Sequence, residues 1–182
     1  MTSKREVFIS IDVETSGPIP GDYSMLSIGA CHVDDEALTF YRELKPINKN
    51  ADPKALEVSG FSLEELARTG DSPSDAMNAL ATWVKETAGA DATPVFVGFN
   101  APFDWSFVNY YFHKYVGANP FGFTALDIKA YYMGAMKTSW KDTRSSSMEI
   151  ELGPKKKGDH DALHDAQYQA ELFRLIRKRI KV

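Results

Sequence analysis

The sequence predicts a mixed α/β domain, with a central sheet of about five strands flanked by helices. Three observations lead to this prediction. An apolar, β-branched segment lies near the N-terminus, two further strand-like segments follow it closely, and helical and strand-like segments alternate in the C-terminal half. The composition agrees, because 43% of the 182 residues are hydrophobic and 25% are charged, as in globular proteins. At this length we expect a single domain spanning residues 1–182.

Net charge and cysteine content limit the classes of function. The formal net charge is −4, which argues against a non-specific nucleic-acid coat but not against a local basic patch. Cys31 is the only cysteine and cannot form an internal disulfide, so we expect a reducing, cytoplasmic location. No segment approaches the ~18 apolar residues of a membrane span, and the N-terminus lacks the apolar core of a signal peptide. No membrane partner is therefore expected.

Residues 7–13 (VFISIDV) are predicted to form the first strand. Because side chains alternate between the two faces of a strand, one face is wholly apolar. The other face begins with Phe8 and ends with the carboxylates of Asp12 and Glu14. Such a strand belongs in a sheet covered by helices, with a site at the strand tips. A loop rich in glycine and proline follows at residues 15–22.

The later segments continue the α/β pattern. Residues 25–33 and 38–44 are predicted to be strands that complete a three-stranded meander. Ser62 opens a short helix with a capping box, and Ser72 caps a longer helix that runs to residue 87. The remaining predicted elements are a strand at 94–99, a helix opened by Pro102, a short strand at 122–126, a helix at 127–136 capped by Asp127, a mobile loop at 137–159 and a terminal helix at 161–181.

Carboxylates follow two of the predicted strands. Asp12 and Glu14 are two residues apart on one strand face, with their Cα atoms about 6.5–7 Å apart. At a dry site they would repel each other, and a divalent cation such as Mg²⁺ or Mn²⁺ would remove that repulsion. Asp104 lies in the first turn of a helix, after a strand expected to end beside the first strand. Each motif alone is also consistent with solvated charges or, for Asp104, with stabilisation of the helix N-terminus.

The segment HDALHDA supplies a histidine and a further carboxylate. His160 and Asp165 are five residues apart, and this spacing does not place two side chains on the same face of a continuous helix. We therefore expect His160 on the preceding loop and Asp165 pointing inward. Histidine titrates near neutral pH, which suits a general base beside a metal site. Two other interpretations remain, a solvated His-rich cap and a zinc pair of His160 and His164. The zinc pair lacks the glutamate of HExxH, because Asp161 replaces it.

Four carboxylates and one histidine that converge in an α/β domain are what two-metal phosphodiester hydrolysis requires. Through FISIDVETSGP, SIGACHV, VSGFS, FVGFNAPFDWSFV and HDALHDAQYQAELF, nearly the whole chain resembles the DEDDh group of 3′–5′ exonucleases. This group includes ribonuclease T, oligoribonuclease and the proofreading subunit of bacterial replicative DNA polymerase. The resemblance implies a ribonuclease-H-like fold. It also implies a metal-dependent 3′–5′ exonuclease that releases nucleoside 5′-monophosphates from single-stranded DNA or RNA 3′ ends.

The resemblance also implies roles for these residues and for two Mg²⁺ or Mn²⁺ ions. Asp12, Glu14 and Asp165 would bind the catalytic ion, and Asp12 with Asp104 would contact the second ion. His160 would act as the general base. Members of the group are often dimers, so a homodimer is a further expectation.

Substrate contacts follow in part from the same resemblance, which implies that residues 15–17 hold the terminal nucleotide through their backbone and that Phe61 stacks on it. Phe103 is a second candidate for stacking, which contributes about 1–3 kcal/mol per base, with core packing as the alternative for both aromatics. The basic run at 155–157 could contact phosphates or form a solvated loop. The residues concerned are Thr15, Ser16, Gly17, Phe61 and Phe103, with Lys155, Lys156 and Lys157 in the basic run.

Two other classes of function remain open at this point. The first is a nucleic-acid-binding module on the same fold without catalysis, although all five motif positions are filled. The second is an endonuclease or integrase, which also uses clustered carboxylates but lacks the closing histidine–aspartate motif. The preference between DNA and RNA does not follow from the sequence, because the groups that would contact the 2′-hydroxyl cannot be placed.

Overall fold

A mixed five-stranded sheet forms the centre of the computed structural model, which describes residues 5–180. The sheet order is β3-β2-β1-β4-β5; β2 is antiparallel to β1 and β3, whereas β4 is parallel to β1 and β5. The C-terminal ends of β1, β4 and β5 therefore meet at one edge, and the expected meander is confirmed. The strands are β1 (Arg5–Thr15), β2 (Met25–His32), β3 (Asp35–Glu43), β4 (Ala92–Gly98) and β5 (Ala125–Asp127).

Helices cover both faces of the sheet. They are α1 (Pro53–Ser59), α2 (Leu63–Thr69), α3 (Pro73–Ala88), α4 (Ala101–Tyr115), α5 (Ile128–Met136), α6 (Ser145–Leu152) and α7 (Ala162–Ile180), with a 3₁₀ turn at Trp140–Thr143. The predicted caps Ser62, Ser72 and Asp127 each accept a hydrogen bond from a backbone amide in the first turn of their helix. Within residues 5–180, no helix combines the length and the apolar character needed to cross a bilayer.

The two faces of β1 have the alternation that the sequence predicts. Its apolar face, formed by Val7, Ile9, Ile11 and Val13, is buried against α3 and α4. The opposite face lies beneath α7, where Phe8 packs edge-on against Phe173 with ring centroids 5.3 Å apart. Asp12 and Glu14 are therefore at the end of the face that α7 covers.

The start of α7 lies directly on β2. A Cβ atom at Gly29 would be 2.2 Å from the carbonyl carbon of Ala162, so only glycine allows this approach. Asp161 caps the helix, because its Oδ1 accepts hydrogen bonds from the amides of Leu163 and His164, each at 3.0 Å. The first turn of α7 is thereby held over the sheet edge, and Asp165 lies in that turn.

The prediction of a mobile loop at 137–159 is wrong for much of its length. This segment contains the 3₁₀ turn and α6. Met148 and Leu152, one turn apart on α6, are buried, and the Tyr168 hydroxyl of α7 donates a hydrogen bond to Glu149 at 2.9 Å. The apolar pair stands among serines and glutamates, so the polar composition of the segment conceals a helix that is stabilised by packing against α5 and α7.

Helix α1 was not predicted, although its signals are local. The Asp52 side chain accepts a hydrogen bond from the Lys54 amide, Pro53 begins the helix, and Gly60 ends it at a φ of 71°. Other differences concern boundaries: β5 lies at Ala125–Asp127 rather than at 122–126, and α7 ends at Ile180. The predicted last helical residue, Lys181, lies outside the described residues.

Candidate active site

A cavity of about 450 Å³ opens at the sheet edge where the C-terminal ends of β1 and β4 meet. Its walls come from β1, the start of α4, α6, the loop before α7 and α7 itself. The parallel pairing of β1 with β4 is the feature that brings the first two motifs to one place. Residues of its lining that the sequence singled out are Asp12, Glu14, Phe103, Asp104, His160 and Asp165.

Hydrogen bonds hold the two deepest carboxylates. Asp104, which is 4% exposed, accepts a hydrogen bond from the Val13 amide at 3.1 Å. Asp12 Oδ1 accepts a hydrogen bond from the Gln169 side chain at 2.6 Å. The same Gln169 side chain accepts a hydrogen bond from the Phe99 amide at 2.9 Å, just beyond β4. Each carboxylate is therefore fixed by a different element from its own.

The loop before α7 brings His160 to the remaining two carboxylates. Ligand atoms of Glu14, His160 and Asp165 all lie within 4.8 Å of one another. His160 is exposed and has a φ of 63°, in the left-handed region that non-glycine residues rarely adopt. The Asp159 amide donates a hydrogen bond to Asp165 at 2.9 Å and so ties this loop to the helix. The expected placement, with His160 on the loop and Asp165 pointing inward, agrees with the structure.

These carboxylates repel one another when they are ionised, and the repulsion is reflected in their pKa values. Burial, together with the nearby Asp165 and Asp104, raises the pKa of Glu14 to about 8. Burial likewise raises the pKa of Asp104 to about 7, against the opposing effect of the Val13 amide. The pKa of Asp12 is raised well above its usual value by burial and by the neighbouring carboxylates. Burial also raises the pKa of Asp165.

These residues fit a site for divalent cations. Four carboxylates converge from three separate segments of the chain, and their raised pKa values mean that uncompensated negative charge is unfavourable there. Hard cations such as Mg²⁺ and Mn²⁺ prefer oxygen ligands and would compensate this charge.

The alternative zinc pair is not assembled among the described residues. His164 Nδ1 lies 3.0 Å from Asp159 Oδ2, and this contact raises the pKa of His164 and lowers that of Asp159. The group with metal-ligand geometry contains His160 but not His164. His164 therefore belongs to the structure of the loop.

Most of the predicted nucleotide contacts lie outside the cavity lining. Phe103 lines the cavity, and its ring centroid is 5.5 Å from that of the buried Phe107. Ser16 is buried, and its side chain bonds the Asn50 carbonyl at 2.8 Å and the Ser24 amide at 2.9 Å. A contact of residues 15–17 or Phe61 with a nucleotide stays a prediction. The predicted contact residues that are not in the cavity lining are Thr15, Ser16, Gly17 and Phe61.

The basic run before His160 is anchored to the protein. The Glu171 carboxylate accepts hydrogen bonds from the backbone amides of Lys155 and Lys156, at 3.0 and 2.9 Å. Lys156 Nζ also lies 3.3 Å from Glu36 of the β3 strand. Lys156 is thus engaged in an ion pair, whereas Lys155 and Lys157 are exposed.

Several residues of the cavity were missed from the sequence, among them Gln169, Tyr168 and Glu149. Gln169 is four residues after Asp165, on the same face of α7, which is the one signal that could have suggested it. Tyr168 and Glu149 join α7 to α6 and complete one wall. This wall exists only because α6 forms, and the polar composition of the segment did not indicate that helix.

Comparisons with known structures define the fold. The nuclease domain of 3′hExo, a DEDDh family member bound to rAMP, is similar to this chain with a TM-score of 0.78 at 16% identity, covering 100% of this chain and 97% of that one. Escherichia coli exonuclease I in complex with a dT13 oligonucleotide gives a TM-score of 0.73 at 15% identity over 96% of this chain. The chain spans 42% of that exonuclease. The fold is thus the ribonuclease-H-like fold of DEDDh exonucleases.

The family follows from the sequence comparisons. Residues 7–177 match the profile of the 3′-5′ exoribonuclease Rv2179c-like domain, and the chain belongs to this family. The chain is also 57% identical over 178 residues to the 3′-5′ DNA exonuclease Cap18 from Escherichia coli, covering 98% of this chain and 95% of that protein. The prediction of a metal-dependent 3′–5′ exonuclease is thereby confirmed at the level of the family.

Proposed function

We propose that the chain hydrolyses single-stranded DNA from its 3′ end and releases nucleoside 5′-monophosphates. The observation that carries this proposal is the convergence of four carboxylates and His160 on one cavity at the sheet edge. Their raised pKa values support a requirement for two divalent cations, Mg²⁺ or Mn²⁺.

Asp12, Glu14 and Asp165 would hold one ion, and Asp12 with Asp104 would hold the other. When bound, such ions supply charge stabilisation for the attacked phosphodiester and its leaving oxygen. Gln169 and the Val13 amide orient the Asp12 and Asp104 carboxylates, so that their free oxygens are presented to the cavity.

His160 would accept the proton of the attacking water. One of its ring nitrogens lies within 4.8 Å of carboxylate oxygens of Glu14 and Asp165, so a water molecule activated at these carboxylates would be close to the ring. Its exposure allows the proton to pass on to solvent. A positioned general base contributes about 10²–10⁴-fold to the rate.

The choice of DNA rests on the sequence comparisons. The family description names an exoribonuclease, whereas the relative that is 57% identical over 98% of this chain is named a DNA exonuclease. The second relationship is the more specific, so DNA is the proposed substrate. Phe103 would stack on a base at the cavity, and contacts of residues 15–17 and Phe61 with the terminal nucleotide are part of the same proposal.

End-labelled single-stranded DNA and RNA of the same sequence, each with Mg²⁺, Mn²⁺ or a chelator, test the proposal. We expect stepwise shortening of the DNA from its 3′ end, only with metal, and no activity in Asp12→Ala or Asp165→Ala. His160→Ala should lower kcat by about 10²–10⁴-fold with an unchanged melting temperature. The matched control is His113→Ala, an exposed histidine near the end of α4.

Several outcomes would contradict the proposal. Undiminished hydrolysis in Asp12→Ala or Asp165→Ala would rule out the assigned site. A ladder of internal cuts would indicate an endonuclease, and metal-independent binding without hydrolysis would indicate a binding module. Faster shortening of RNA than of DNA would overturn the choice of substrate.

We also infer that the chain is a single exonuclease domain, because one sheet and the elements packed on it supply every part of the site, and the family match runs over residues 7–177. A homodimer and a cytoplasmic location stay predictions. Sedimentation of the purified chain tests the first, and fractionation of the source cells tests the second.

A further inference from the structure

Three side chains stack on one another at the rim of the cavity. Lys129 Nζ lies 5.7 Å from the centroid of the Phe99 ring and 4.7 Å from that of the Trp140 ring. Phe99 follows β4 and lines the cavity, and Lys129 lies in the first turn of α5, which follows β5. Because β4 and β5 are parallel, these groups are at the same sheet edge as the carboxylates. We name Phe99, Lys129 and Trp140 the rim stack.

The backbone around the rim stack is fixed. Asp127 accepts hydrogen bonds from the Ala101 amide at 2.8 Å and from the Ala130 amide at 2.7 Å, so that one carboxylate joins the starts of α4 and α5. Trp140 begins the 3₁₀ turn, whose Thr143 hydroxyl donates to the Trp140 carbonyl at 2.8 Å. The turn leads into α6, whose first residue, Ser145, lines the cavity.

Exposure and charge suit the rim stack to a ligand. Trp140 is 55% exposed although its turn is ordered, so a large apolar ring is presented to solvent. Among the described residues, no carboxylate lies within ion-pair distance of Lys129. Its charge is therefore available to an anion. A flat apolar surface next to an uncompensated cation matches single-stranded nucleic acid, which offers a base and a phosphate at each step.

We propose that the rim stack binds nucleotides upstream of the two at the 3′ end, with a base on the Trp140 ring and a phosphate near Lys129. This inference rests on the proposed function, since it extends the substrate path of the same cavity. It implies that affinity depends on substrate length. Oligonucleotides long enough to reach the Trp140 ring gain a stacking contact, whereas a dinucleotide does not.

Steady-state kinetics of Trp140→Ala and Lys129→Ala on a dinucleotide and on a longer single-stranded DNA test this inference. For the longer substrate we expect KM to rise by about 5- to 150-fold in Trp140→Ala, the range for loss of one base–aromatic stack. Dinucleotide hydrolysis and the melting temperature should be unchanged. Trp140→Phe should restore most of the affinity, because it keeps an aromatic surface.

Two variants provide matched controls. Lys114 is also stacked on aromatic rings, 5.2 Å from the Tyr110 centroid, but at the far end of α4. Phe123 is 89% exposed and lies two residues before β5, on the N-terminal side of that strand. Lys114→Ala and Phe123→Ala should leave KM for both substrates unchanged.

Equal KM values for the wild type and Trp140→Ala on the longer substrate would overturn the inference. An equal rise in KM for the dinucleotide and for the longer substrate would also overturn it. If the wild type hydrolyses no substrate, the proposed function fails, and the inference is then decided by binding. For that purpose, fluorescence anisotropy measures the affinity for labelled single-stranded DNA of the Asp165→Ala variant and of the double variant Asp165→Ala/Trp140→Ala. Unchanged affinity in the double variant would exclude the rim stack as a binding surface.

Discussion

Gln169 Nε2 donates a hydrogen bond to Asp12 Oδ1 at 2.6 Å, across 157 residues of sequence. The Gln169 oxygen meanwhile accepts a hydrogen bond from the Phe99 amide at 2.9 Å, which fixes which end of the side-chain amide faces Asp12. The residue is 4% exposed, so neither bond can be replaced readily by solvent. One side chain of α7 therefore connects the ends of β1 and β4 at the Asp12 carboxylate of the cavity.

Loss of this amide should weaken metal binding more than it weakens the fold. In Gln169→Ala we expect the metal concentration for half-maximal activity to rise by about 10- to 100-fold, as for other residues that orient metal ligands. Activity measured over a Mn²⁺ titration checks this. The control is Gln167→Ala, at a half-buried position on the same helix. An activity loss that no metal concentration restores would contradict the positioning role.

Glu171 should control the loop that carries His160. Glu171→Ala removes the acceptor of the Lys155 and Lys156 amides, so we expect faster amide exchange over residues 155–160. Misplacement of His160 should lower kcat by up to about 100-fold. Hydrogen-exchange mass spectrometry and kinetics measure both effects.

Glu151→Ala is the control for the loop, because Glu151 forms an exposed ion pair with Arg179 at 3.4 Å and such pairs contribute little. If exchange over residues 155–160 is the same in Glu171→Ala as in the wild type, the anchoring role is wrong.

The close approach at Gly29 should make this position intolerant of a methyl group. In Gly29→Ala, the new Cβ would meet the Ala162 carbonyl carbon at 2.2 Å and force the start of α7 away from the sheet. We expect a loss of roughly 1–3 kcal/mol in the free energy of unfolding, with lower activity. Urea denaturation measures this.

Gly134→Ala in α5 is the matched glycine substitution, since a Cβ there meets nothing within 4 Å. It should raise stability by about 0.5–1 kcal/mol through helix propensity. Equal stabilities of the two variants would show that α7 does not press on Gly29.

Stability of the metal-free protein should fall as the pH rises through neutrality. The pKa of Glu14 is about 8 in the folded protein, against an ordinary value of 4.5, so the folded state binds more protons than the unfolded state between these values. The contribution of protonated Glu14 to the free energy of unfolding is fully present below the ordinary pKa. It is lost as the pH rises through the raised pKa of the folded protein. Asp104, whose pKa is about 7, acts in the same direction.

Thermal melting in chelator from about pH 5 to about pH 9 measures this dependence. Saturating Mn²⁺ should remove the decline, because the cation compensates the ionised carboxylates, and Glu14→Gln should flatten it. A melting temperature in chelator that rises over this range would contradict the repulsion among the carboxylates.

Local patterns accounted for most of the secondary structure. The alternation along residues 7–13 predicted the two faces of β1, and Ser62, Ser72 and Asp127 cap their helices as expected. Capping depends on neighbours within four residues, so it can be recognised without the fold. Helix α6 could not be found in this way, because Met148 and Leu152 stabilise it through a buried cluster with residues of α5 and α7, which are distant in sequence or unrelated to its own capping.

The sequence by itself determined which chemical groups are present, their order, and the strand spacing that aligns Asp12 with Glu14. Only the tertiary structure decided that the Asp104 carboxylate accepts the Val13 amide across 91 residues, and that Gln169 faces Asp12 rather than solvent. The physical reason is the distance along the sequence between the residues that interact. Periodicity and capping act between neighbours along the chain, whereas the cavity is formed by contacts between strands and helices that are distant in sequence.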